Sequence, residues 1–178
     1  MDEIEAGFTK MTKMIEELKK TEGQMSEEIR ANDGELLRRM TVLAKPVVKS
    51  VGLNLLKIGK QDTKGELYDP NYFTEKMIIL GKCDPAPFRP DDPAKTITDQ
   101  FCVLSERGRL YELMYSNDGF LTDSYLNQIE PKAAIERYGY DVLFMLYQGM
   151  HEYLKTEQEL VAALEKVIGF VFASKPRA

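Results

Sequence analysis

His151 and the tyrosines within reach of it are the residues of this chain best equipped for chemistry. The sequence holds one histidine, two cysteines (Cys83 and Cys102) and no tryptophan. Any histidine-dependent triad or multi-histidine metal site made by one chain must therefore centre on His151. Structural zinc needs several Cys and His ligands, and three such residues in all do not supply a set. The sequence has no glycine-rich phosphate loop, GxSxG, HExxH or CxxC, so no catalytic motif, metal or cofactor is expected. The two cysteines, both beside apolar sequence, read as reduced thiols.

The surroundings of His151 are more informative than the residue itself. It lies in helical sequence from Val142 to Leu154. Phe144, Tyr147 and His151 fall on one side of that helix, because residues three and four apart meet there. Val142, Met145, Leu146, Gly149 and Tyr153 form another side, and only a narrow polar stripe remains. A helix so widely apolar is usually enclosed. Its second face either packs on another helix or lines a pocket. Tyr111 and Tyr115 alternate to one face of the run RLYELMY and could share such a cavity. Tyr111, Tyr115, Phe144, Tyr147 and His151 are thus a candidate ligand pocket, with a few hydrogen-bonding tips in an apolar lining.

Two weaker constellations stand beside it. Arg38, Lys45 and Lys49 fall together on one side of a helix and offer a candidate site for an anion or an acidic partner. An ordinary solvated helix face is the simpler explanation of them. Asp84, Asp91 and Asp92, with nearby Asp99, crowd the stretch Lys82–Thr98, which also carries four of the eight prolines. Asp69, Asp84 and Asp92 each precede a proline, and Asp-Pro is a turn starter, so turns are the expectation rather than acid–base work.

These side chains need a scaffold, and Thr98 to Leu126 supplies its clearest part. TDQFCVLS, RLYELMY and FLTDSYL are three apolar runs separated by Glu106-Arg107-Gly108 and Ser116-Asn117-Asp118-Gly119. The Gly in each break meets the need of a tight turn for positive φ, so a β-meander is predicted. LNLLKIG after Gly52 and the run through Met77–Leu80 read as further strands, with residues 60–72 as a loop between them.

Helical sequence flanks the sheet. Ile4, Phe8, Met11, Ile15 and Leu18 are spaced 4, 3, 4, 3, a heptad stripe too short for a stable free coiled coil. Gly23 reads as its stop and Asn32-Asp33-Gly34 as a further interruption. A helix from Glu35 follows, with Pro46 expected to kink or split it. Pro131 opens a short helix ending at Gly139. Thr156 and Glu159 form a capping box for a separate last helix, with Leu160, Leu164, Val167, Ile168 and Val171 on its buried face. Truncation at residue 156 is accordingly expected to abolish folding.

The composition bounds the rest. At 178 residues and 20.4 kDa the chain is read as one α+β domain with an antiparallel sheet of four or five strands over roughly 53–126. Residues 1–22 are a candidate oligomerisation arm. Net charge is −5, which disfavours nucleic-acid binding. No signal-like or membrane-spanning run is present, so a cytoplasmic location is expected. Two functional classes fit: a non-catalytic binding or assembly protein forming a homo-oligomer, and a small-molecule sensor or enzyme using the aromatic pocket.

Overall fold

The computed structural model describes residues 3–173. Helix α1 (Glu3–Leu43) leads through α2 (Lys45–Val51) into five strands, β1 (Leu53–Gln61), β2 (Leu67–Cys83), β3 (Asp99–Ser105), β4 (Leu110–Asn117) and β5 (Leu121–Gln128). Helices α3 (Pro131–Tyr138) and α4 (Asp141–Ala173) complete the chain. The class is α+β with an antiparallel sheet, and that sheet closes on itself as a barrel in the order β1-β2-β3-β4-β5.

The meander forms where its turn residues lie. Gly108 and Gly119 take φ of 77° and 89°, a region L side chains avoid. Closure depends on β2. With all neighbouring pairs antiparallel, an odd number of strands can close only if one of them bends. β2 has 17 residues. It pairs with β1 over Leu67–Met77 and with β3 over Met77–Cys83. The start of β5 then reaches the end of β1 through Ile58↔Asp123 and Lys60↔Leu121.

Residues 67–72, expected as loop, belong to β2. Asp69-Pro70 falls at an irregularity where the pairing shifts between Ile58↔Asn71 and Lys60↔Tyr68, and Asp69 takes a φ of 53°. A bulge accommodates a proline that a regular ladder would reject.

Strand alternation divides the core in two. Along β3, Phe101 and Val103 join the barrel interior with Met77 and Leu113. Cys102 and Leu104 face outward under the helices, packing with Leu80, Leu110, Tyr138 and Leu146. The helices close this outer core with Leu37, Val48, Ile135 and Val142. Pro46 acts as anticipated: α1 ends at Leu43, and Pro46 occupies the first turn of α2, where its missing N–H costs nothing.

Two helix boundaries differ from expectation. α1 runs unbroken through Gly23 and Asn32-Asp33-Gly34 for 41 residues, about 60 Å. Gly34 is there for contact rather than as a stop: a Cβ built on it would stand 3.1 Å from Lys132 Cα of α3. α4 is likewise one helix of 33 residues. Thr156 Oγ1 donates to Glu152 O within it, satisfied by its own preceding turn instead of capping a new helix.

Candidate functional site: the groove between α1 and α4

The barrel anchors only part of α1 and α4. Every residue from Glu3 to Met25 is exposed, and so is every residue from Gln158 to Val171. The side chains assigned to a buried last-helix face are therefore open: Leu160, Leu164, Val167, Ile168 and Val171 are each more than half exposed. Nothing among the described residues buries them, which removes the reason for expecting truncation at 156 to abolish folding.

The exposed apolar residues are ordered. On α1, Ile4, Met11, Leu18 and Met25 recur every seven residues, and Phe8, Ile15, Ile29, Leu36 and Leu43 hold the second heptad position. Glu22 and Asn32 interrupt the stripe. On α4 the same pattern runs through Tyr147, Leu154, Val161 and Ile168, and through Leu143, Met150, Leu164 and Val171, with Glu157 interrupting. Heptad apolar positions are the pattern of helices that pack along their length on other helices.

The two helices meet near the barrel. Between them lies a groove of about 910 Å³, with Leu36, Met40 and Leu43 on one wall and Leu143, Tyr147 and Leu154 on the other. Pro46 and Val47 of α2 also line it. Tyr147 and His151 stack, their ring centroids 6.1 Å apart and planes at 14°. Neither serine nor cysteine lines the groove, so His151 has no nucleophile there to activate.

The five aromatic-pocket candidates divide between two places. Phe144, Tyr147 and His151 line the groove. Tyr111 and Tyr115 pack with the barrel interior. The hydroxyl of Tyr115 donates to Leu56 O at 2.9 Å, its ring meets Phe101 edge-on at 6.3 Å, and burial pushes its pKa up to about 12. The reason is strand parity: odd residues of β4 point into the barrel, whereas α4 lies outside it.

The three basic residues stand on two helices, Arg38 on α1 and Lys45 and Lys49 on α2. Arg38, on α1, forms a double hydrogen bond with Glu35 at 2.8 and 2.7 Å. The break at Ala44 puts Lys45 and Lys49 on α2. The Lys45 alkyl chain lies against Gly108.

A buried polar cluster escaped the sequence reading. Glu112 is 2% exposed, and its Oε1 accepts from Gln100 Nε2 at 3.0 Å, from the Tyr138 hydroxyl at 3.2 Å and from Arg137 Nη1. The pairing holds the Arg137 guanidinium pKa above its ordinary value. Gln100 in turn accepts from Ala86 N at 2.9 Å, tying the proline-rich loop to the sheet. The available signal was Glu112 standing between Leu110 and Met114 on the apolar outward face of β4. Nearby, Cys102 is fully buried and its thiol is pushed up to about 12 by burial. Burial likewise raises Cys83, against the opposing hydrogen bond from Tyr138.

Two aspartates of the loop, Asp91 and Asp92, are held in local hydrogen bonds. Arg89, 6% exposed, donates to Asp91 at 2.9 and 2.6 Å and to Asp123 at 2.8 Å. Asp92 Oδ1 accepts from Ala94 N, the turn expected of Asp-Pro. Among the described residues no cluster of three His, Cys, Asp or Glu could hold a metal ion, and no helix is long and apolar enough to cross a membrane.

Comparison with protein-family models, with curated proteins and with solved structures finds no match to this chain.

Proposed function

We propose that this protein is a non-catalytic assembly protein that associates with a second copy of itself through the apolar faces of α1 and α4. One observation carries the reading. The chain exposes 12726 Å², whereas a folded monomer of its mass exposes about 8,800 Å². The excess is about 3,900 Å² per copy. If half of it were covered on each of two copies, the interface would bury about 3,900 Å² in total, within the range of obligate homodimers.

The chemistry of the faces supports a protein occupant over an anionic lipid surface. From Glu3 to Arg30 acidic residues outnumber basic ones seven to five, while membrane-surface helices favour lysine and arginine. A second reading, a small apolar ligand held in the groove, draws support from its volume and from the polar tips of Tyr147 and His151 in an apolar lining.

Native mass spectrometry of the purified protein separates the two. The assembly reading expects a species of twice 20.4 kDa. A single-copy species carrying a bound small-molecule mass would replace it with the ligand reading.

A further inference from the structure

We infer that the groove of one copy is filled by the far end of α4 from the second copy, the two α4 helices running antiparallel. The inference rests on the self-association proposed above and names the contact that produces it.

A gap between two helices is filled by a third that touches both. That helix needs a wide apolar arc, because it has two neighbours rather than one. The stripe on α1 is narrow, close to the two heptad positions alone. The end of α4 is broader: Leu160, Val161, Leu164, Val167, Ile168 and Val171 are all apolar and all exposed. Only Glu165 and Lys166 carry charge between Leu160 and Val171.

Length and register agree. The groove is lined on α4 from Tyr140 to Leu154, and the exposed apolar side chains beyond it run from Leu160 to Val171, a segment that fits within that length. Laid antiparallel about a two-fold axis between Lys155 and Thr156, Tyr147 of one copy faces Leu164 of the other. Met150 then faces Val161. Each pairing joins the two alternate heptad positions, as antiparallel packing requires, and places apolar on apolar. The exception is Leu154 opposite Glu157, next to the axis, where one polar position can fix register at a cost in stability. The contact is isologous, so each copy gives one tail and receives one, and the assembly closes at two.

Cysteine cross-linking tests this directly, since neither native thiol lies on α4. Tyr147→Cys and Leu164→Cys proteins are prepared separately, both positions being exposed in the single chain. Mixed in equal amounts, allowed to exchange and oxidised, they are expected to yield covalent dimers containing one of each, with at least tenfold less from either alone. Self-linkage of Leu164→Cys would mean parallel helices and overturn the inference. A light-scattering dimer without cross-links in the mixture would overturn the α4 contact while leaving self-association intact. A monomer under the same conditions would remove both, and a monomer with a small molecule bound in the groove would hand it to that ligand.

Discussion

Gly34 of α1 and Lys132 of α3 meet backbone to backbone: a Cβ at position 34 would lie 3.1 Å from Lys132 Cα and 3.2 Å from Lys132 N. This contact fixes where the long first helix crosses the helical layer over the barrel. Gly34→Ala needs a shift of a few tenths of an ångström, offset in part by better helix propensity. Gly34→Val needs far more and is expected to destabilise by about 1–3 kcal/mol. Urea unfolding of the two variants checks the order.

Glu112 joins three side chains, those of Gln100, Arg137 and Tyr138, across the outer core. Glu112→Ala leaves the Gln100 amide and the Tyr138 hydroxyl, both buried, short of a partner. The expected loss is about 3 kcal/mol, and Glu112→Gln, which retains an acceptor, should lose less. Chemical denaturation with an unchanged midpoint for Glu112→Ala would show the cluster to be idle.

Asp91 gives a pH dependence of defined sign. Its hydrogen bonds from Arg89 hold its pKa below the ordinary 3.8. A depressed carboxylate contributes stability that is present above its unfolded value and disappears as pH falls through its folded one. The stability difference between the native chain and Asp91→Asn is therefore expected to be constant at pH 5–7. It should shrink below about pH 4. Denaturation curves at several pH values measure it.

The thiols should differ in reactivity. Cys102 is fully buried and its pKa is pushed up to about 12, so little thiolate exists at neutral pH and none of it is accessible. Labelling of the folded protein with a thiol reagent at pH 8 is expected to modify Cys83 slowly and Cys102 only after unfolding. Mass mapping of the labelled peptides decides this.

Removing residues 156–178 deletes an exposed stripe and none of the outer core, whose last member on α4 is Leu146, with Met150 packed against it. The shortened chain should keep a cooperative thermal transition while losing self-association. Loss of the transition would mean that the tail contributes to folding of the single chain.

The fold was legible where local chemistry decides it. Gly108 and Gly119 mark turns through their φ, and Pro46 marks a helix break through its missing donor, so the meander and the α1–α2 joint could be read from residue types. What could not be read depends on distant partners. Gly34 resembles a helix stop until Lys132 is seen beside it, and Asp69-Pro70 resembles a loop until the bulge against β1 absorbs it. The barrel itself follows from β2 sharing its length between two neighbours, a property of the whole sheet. The groove was half legible: the side holding Phe144, Tyr147 and His151 showed in the helical period, but the parity of β4 sends Tyr111 and Tyr115 elsewhere. The spacing of Leu160, Leu164, Val167, Ile168 and Val171 predicts a buried face, and they are instead exposed. That this face lies beyond the reach of its own barrel depends on where a continuous α4 carries it.

The most direct test of the account is static light scattering of the full chain beside a Leu164→Asp variant, at equal concentrations spanning two decades. Leu164 is 51% exposed in the single chain, so the substitution should spare the barrel while placing a charge in the proposed contact. A mass of twice 20.4 kDa is expected for the full chain and a single-copy mass for the variant, with matching circular dichroism. A full chain that scatters as one copy at every concentration, or a variant that remains paired, would contradict the account.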